Sequence, residues 1–248
     1  MDHIEGIIFD LGNTLLHFDA DMRETLLRGA YDLAAYLHEQ GLVIDAAALA
    51  STYVENLYVA YEQAQKDWIE VTGHQTLRHT LVDLGHASVP EAMIDEGIRV
   101  SLTCGETVWK PFPDTYETLE QLRAAGYRLG LISNFFDDGW IQRTIDKFGL
   151  RSWFSPILTS AGMGLSKPHP GIFRAVLEEW GLPPERVLMV GDTPSKDIVG
   201  AQSVGMRAVL ATMVEAPRDG DDPSISPDAI IKQLGELSTL LARWRDER

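Results

Sequence analysis

Apolar and polar positions along the chain follow two alternating regimes. The first run, "IIFDLGNTLL" at 7–16, predicts a short strand over 6–10 that ends on Asp10. From about Asp21 to Gly105 the period becomes helical, with hardly a strand. "DMRETLLRGAYDLAAYLHEQG" sets Met22, Leu26, Ala30, Leu33 and Leu37 on one stripe and closes on Gly41. "DAAALASTYVENLYVAYEQAQKD" repeats the theme with Leu49, Tyr53, Leu57 and Tyr61. Two more helices are expected near 75–84 and 90–103, the second opened by Pro90. This stretch reads as a four-helix insertion.

Pro111 and Pro113 mark the return to the first regime, and Asp114 with Glu117 three residues on predicts a capping box. Short apolar runs at 128–133, 155–160, 186–192 and 206–211 suit buried parallel strands. Helical stretches near 138–148, 169–180 and 194–204 lie between them. Such alternation predicts an α/β fold with a doubly wound, mostly parallel sheet, which binds ligands at the carboxyl ends of its strands. A Pro-, Gly- and Asp-rich loop over 215–228, with Asp219, Asp221 and Asp222 read as solvated, precedes a closing strand end and helix.

Composition narrows the partners. Against 21 basic side chains stand 37 acidic ones, a formal charge of −16, which disfavours nucleic acid and anionic membranes. Cys104 is the single cysteine, so it reads as a small buried residue in a reducing compartment. No apolar stretch approaches the ~20 residues of a membrane helix, and "MDHIEGIIFD" has no basic region of a signal peptide. A cytoplasmic protein is expected, and nothing in the chain signals an oligomeric state.

Four predicted strand ends carry polar chemistry: Asp10; Ser133 and Asn134; Lys167 in "GLSKPHPGIF"; and Asp192 with Asp197 in "VLMVGDTPSKD". Taken singly, these are a solvated lysine, an early-helix acid and turn residues. Together they suit phosphoryl transfer. Asp10 could form an aspartyl-phosphate, splitting hydrolysis into two displacements. Lys167 would be the fixed cation, while the Ser133 hydroxyl and the amides near Gly12, Asn13 and Asn134 would be neutral donors. Clustered acids with oxygen-only ligands favour Mg²⁺, held by Asp10, Asp192 and a backbone carbonyl near Gly12.

These motifs resemble the haloacid dehalogenase superfamily, phosphatase type, with a helical cap inserted after the first strand. "IIFDLGNTL" resembles its first motif, "LISN" its second, "SKPHPGIF" its third and "VGDTPSKDIVGAQSVGM" its fourth. The resemblance implies a core of 1–17 and 109–248 and an all-α bundle cap of 18–108. It implies Asp10, Ser133 and Lys167 as catalytic, and Asn13, Thr14, Ser133, Asn134 and Lys167 around phosphate. Asp10, the Gly12 carbonyl and Asp192 would hold Mg²⁺, with Asp197 behind them. The implied substrate is a small phosphorylated metabolite.

One position departs from the pattern. Phosphatases of this family usually carry an aspartate two residues after the nucleophile as acid and base, and here Gly12 stands there. His17 and Asp19, a water, or the substrate itself could substitute, although His17 and Asp19 also read as a hinge residue and a helix cap. The gap leaves two alternatives open: metal-free 2-haloacid dehalogenation, and a catalytically degenerate phosphate-binding protein. In the insertion, Arg23, Tyr31, Tyr53, Tyr58, Trp68, His74 and His79 read first as packing or surface residues, as do Trp109 and Phe112 at the hinge.

Overall fold

The computed structural model describes residues 3–214, 222 and 224–246. Asp219 and Asp221 lie outside them, whereas Asp222 caps a local turn by accepting from Ser224 N at 2.8 Å. Six strands build the main sheet: β1 (Gly6–Phe9), β4 (Arg128–Ser133), β5 (Ile157–Thr159), β6 (Val187–Gly191), β7 (Arg207–Ala211) and β8 (Ala229–Ile231). Their order is β5-β4-β1-β6-β7-β8, and every pairing is parallel. Each residue of β1 and β6 is buried, as a strand covered on both faces requires.

Side-chain alternation divides the core. Ile7 and Phe9 pack with Leu119, Ile141 and Leu237, on helices α5 (Thr115–Ala124), α6 (Asp138–Lys147) and α10 (Glu236–Asp246). Ile8 turns to the opposite face with Phe173 and Val176 of α8 (Pro170–Trp180) and Ala201 of α9 (Val199–Ser203). The sequence pattern had not shown the short α7 (Ser160–Met163), and the helix expected near 194–204 opens as a π-helical turn over Pro194–Ile198 ahead of α9.

Between β2 (Leu16–Phe18) and β3 (Trp109–Pro111) come α1 (Met22–Glu39), α2 (Ala46–Asp67), α3 (Gly73–Asp83) and α4 (Glu91–Thr103). The four helices match the expected insertion, with α1 packed on α2 and α4, and α3 on both α2 and α4. Unforeseen is the two-stranded antiparallel ribbon of β2 and β3, which pairs Phe18 with Trp109. The two apolar stripes are buried along their middles, at Ala30, Leu33 and Leu37, and at Leu49, Tyr53 and Leu57. Their ends, Met22 and Tyr61, are exposed on a cavity wall instead.

The expected capping box at Asp114 does not form. Its carboxylate accepts from Gly235 N at 2.9 Å, tying α5 to the segment before α10. A complete box occurs at Thr72, whose hydroxyl accepts from Gln75 N (3.2 Å) while Gln75 Oε1 accepts from Thr72 N (2.9 Å). Thr72→Ala should therefore lose about 1 kcal/mol in denaturant unfolding, with an unchanged slope. Asp19 is not the cap of α1; that is Asp21, which accepts from Glu24 N at 2.8 Å.

Candidate functional site

The parallel register brings the polar strand ends together. Phe9 is level with Leu131 on β4 and with Val190 on β6. Asp10 therefore follows the last residue of β1, beside Ser133 at the end of β4 and Asp192 just past β6. β1 is flanked by strands reached in opposite directions, so this edge is the switch point where such sheets bind ligands. A cavity of about 560 Å³ opens there, lined by Asp10, Gly12, Asn13, Ser133, Asn134, Lys167, Asp192 and Asp197.

Lys167 is the centre of the cluster. Its ammonium donates to Asp10 Oδ1 (2.7 Å), Asp197 Oδ1 (2.7 Å) and the Ile132 carbonyl (3.1 Å), which engages all three protons. Its place is fixed from behind by Asn134, whose Oδ1 accepts from Lys167 N (2.9 Å). Asn134 Nδ2 donates to Ser166 Oγ (2.7 Å) and the Lys167 carbonyl (3.0 Å). The side chain expected near phosphate thus holds the lysine loop. Asp197 is fully engaged too, because its other oxygen accepts from Thr193 N at 2.9 Å. It reaches inward across Gly191, where an added Cβ would stand 2.3 Å from the carboxylate.

Other expected residues divide. Ser133 is buried at the cavity floor, and among the described residues its hydroxyl has no protein partner. Asn13 lines the cavity at φ 55°, its backbone N–H donating to the Leu16 carbonyl (2.6 Å), and its side chain favours the ionised form of Asp192. Thr14 is wholly buried, lies off the cavity, and has no partner for its hydroxyl among the described residues. The Leu11 carbonyl accepts from Leu15 N and Leu16 N, both at 2.9 Å, whereas that of Gly12 takes no backbone donor among the described residues.

Charge in this cluster does not balance. Burial, and after it the neighbouring carboxylates, push Asp10 up to about 7 despite Lys167. Burial and Asp197 raise Asp192, and the Thr193 hydroxyl, which donates to it at 3.0 Å, opposes this together with Lys167 and Asn13. Burial alone would lower Lys167, but Asp10 and Asp197 hold it above the ordinary lysine range. With all three carboxylates ionised, one ammonium leaves the edge two negative charges in excess, and the raised pKa values are the protein's response to that excess. No group of three or more His, Cys, Asp or Glu side chains suited to a metal occurs among the described residues. A cation here would accordingly rest on Asp10 and Asp192, completed by backbone and water oxygens, and the donor chemistry fits a hard divalent ion.

Gly12 has a structural cause. A Cβ there would meet the Trp109 indole at 3.2 Å, so the ring occupies the space of a larger side chain. Neither proposed substitute reaches the cavity. Asp19 pairs with Lys110 at 2.6 Å, whose hydrogen bond and charge lower its pKa, and His17 packs its ring on Phe112 at 5.2 Å. Of the other insertion residues, Tyr58 lines the cavity with Arg23 over its ring, Tyr53 is buried, and His74 pairs with Glu91 at 2.8 Å. Cys104 is half-buried, its thiol toward the Thr25 carbonyl.

The sequence pattern missed part of the wall. Lys196 donates to the Tyr61 hydroxyl at 2.8 Å, joining the segment after β6 to α2. The α2–α3 linker lies against the loop before Lys167: Ser166 N donates to the Trp68 carbonyl (2.8 Å), and Glu70 N to that of Gly164 (3.2 Å). Glu70, on that linker, lines the cavity. The one sequence signal for it was the break in helical period at "WIEVTG".

A parallel sheet of this order with this polar edge defines a hydrolase class. The description "haloacid dehalogenase-like hydrolase" matches residues 4–205, and the chain belongs to that family. It is 34% identical over 240 residues to a glyceraldehyde 3-phosphate phosphatase of Methanopyrus kandleri, covering 94% of this chain and 95% of that one. A protein of the same name from Methanothermobacter thermautotrophicus is 36% identical over 134 residues, and that match spans 53% of this chain and 59% of the relative. Among solved structures, the 2-haloacid dehalogenase from Pseudomonas syringae pv. Tomato DC3000 superposes with a TM-score of 0.70 at 29% identity, covering 97% of this chain and 99% of that one. The chain is thus an enzyme, a hydrolase. No helix among the described residues is long and apolar enough to cross a membrane.

Proposed function

We propose that this hydrolase is a Mg²⁺-dependent phosphatase that acts on a small-molecule phosphomonoester through an aspartyl-phosphate on Asp10. The observation that carries this reading is the uncompensated charge: Asp10, Asp192 and Asp197 face one ammonium at the floor of the cavity. Halide departure needs no neutralised phosphate, and a metal-free dehalogenase would leave those acids repelling its own anionic substrate. The phosphatase names of two relatives agree with this reading.

Lys167 holds Asp10 by one oxygen, so the other is the one free to attack phosphorus. Asp197 keeps the lysine charged and in place. The Ser133 hydroxyl is available to a phosphate oxygen. A bound Mg²⁺ would supply positive charge between Asp10, Asp192 and the phosphate. The four helices over 18–108 act as a cap, with Met22, Leu26, Leu57 and Tyr58 giving the leaving group a largely apolar chamber. The expected substrate is a small ester of low charge in a reducing cytoplasm.

The test is p-nitrophenyl phosphate hydrolysis. Turnover should appear with Mg²⁺ and vanish with EDTA. Metal-independent halide release from 2-chloropropionate, with no phosphatase activity, would establish the dehalogenase instead.

A further inference from the structure

With position 12 closed by Trp109, and with Asp19 and His17 engaged elsewhere, the cavity needs another proton carrier if it serves unactivated esters. Among the described residues, one carboxyl outside the floor lines it. Glu70 is half-buried on the α2–α3 linker, and its backbone N–H donates to the Gly164 carbonyl. Ile69 bridges to Leu165 and Gly73 N donates to the Phe136 carbonyl at 2.7 Å, so the linker is seated on the core on both sides of the residue. The Thr72 box stiffens it further. A carboxyl on such a mount has a fixed position relative to Lys167, which follows two residues after Leu165.

Its surroundings favour a protonated acid. Burial raises its pKa, while the nearby Ser160 hydroxyl and the charge of Lys196 oppose this only in part. Among the described residues, the other charged groups around the cavity are Asp10, Lys167, Asp192 and Asp197 on the floor. A raised carboxyl holds its proton closer to neutrality, where a general acid is most useful.

Resting on the phosphatase reading, we propose that Glu70 is the general acid and base of this enzyme, in place of a side chain at position 12. In the first step an Asp10 oxygen bonds to phosphorus, the bond to the ester oxygen breaks, and Glu70 gives that oxygen its proton, releasing the alcohol. In the second step the Glu70 carboxylate takes a proton from water as the water oxygen bonds to phosphorus. The phosphorus–Asp10 bond breaks, inorganic phosphate leaves, and both carboxyl groups regain their starting states.

Glu70→Gln keeps the shape and removes the proton transfer. An alkyl phosphate needs the acid, whereas p-nitrophenolate leaves unaided. In the variant, kcat/KM for the alkyl ester should fall about 10²- to 10⁴-fold, and that for p-nitrophenyl phosphate less than about threefold. Hydrolysis of the second step also slows, so p-nitrophenyl phosphate should give a stoichiometric burst of nitrophenolate ahead of a lowered kcat. The fall of wild-type kcat/KM for the alkyl ester at rising pH should disappear from the variant. Equal losses in kcat/KM for both esters, or no loss for either, would overturn the role of Glu70. A wild-type enzyme inert toward both esters with Mg²⁺ overturns the phosphatase reading itself, which is a separate result.

Discussion

Asp10→Asn is expected to lower Mg²⁺-dependent turnover by at least ~10⁴-fold, the scale seen when a covalent nucleophile is deleted from a hydrolase. The amide cannot form the acyl phosphate, and no other group at this edge takes over the first step. Ser133 is a hydroxyl with no base hydrogen-bonded to it among the described residues, and both oxygens of Asp197 are engaged by Lys167 and Thr193 N. The loss should occur without unfolding. Asp10 is pushed from 3.8 to about 7 by burial and its acidic neighbours, so its ionised form opposes folding above that range. An uncharged isostere removes that opposition and leaves Lys167 paired to Asp197. The melting temperature should therefore hold or rise at about pH 8. Rapid acid quench of the wild type with substrate should trap one phosphoryl group on the peptide holding Asp10, and none in the variant. A variant that still turns over, or a trapped group on another residue, removes Asp10 from its role.

How far the sequence carried depends on the range of each signal. Runs such as "RVLMVGD" announce a doubly covered strand because a parallel sheet leaves no polar face, and all five residues of β6 are buried. The Asp10–Lys167–Asp197 constellation was legible because each member follows a strand of one parallel sheet: register places Asp10 beside the ends of β4 and β6, and the segments after β5 and β6 bring Lys167 and Asp197 to the same edge. What remained hidden depended on long-range contact. Trp109 lies far from Gly12 in the chain, and only the β2–β3 ribbon shows that its ring fills the space beside it. Asn134 directly follows β4's buried run and looked like a phosphate donor, but its amide is tied up by Ser166 and Lys167. Asp114 met the local rule for a capping box and was drawn away by Gly235, more than a hundred residues on. Glu70 had no motif at all, since its chemistry comes from where the α2–α3 linker lands on the core.

Lys167→Met carries the largest expected cost in stability. The ammonium is almost fully buried, with the two carboxylates each 2.7 Å away and nearly as enclosed. Removing it leaves both without a cation, and breaking such a buried pair costs about 3–5 kcal/mol, or roughly 10 °C in a chain of this size. The activity should fall with it, since Asp10 loses the group that orients it. The pH dependence separates this account from a packing defect. In the wild type Lys167 is held charged well beyond neutrality, so its own titration changes nothing below that range. In the variant the titrating part of the cost lies in ionised Asp10, and it is relieved as that carboxylate takes up a proton. Asp10 already titrates near 7 with the lysine present, so without it the proton is held more firmly still. The stability deficit should be largest at about pH 8 and shrink steadily toward about pH 5. A thermal-melt series across that range decides the point: a deficit of constant size would mean that lost packing around the lysine stem, and not unpaired charge, is what the fold feels.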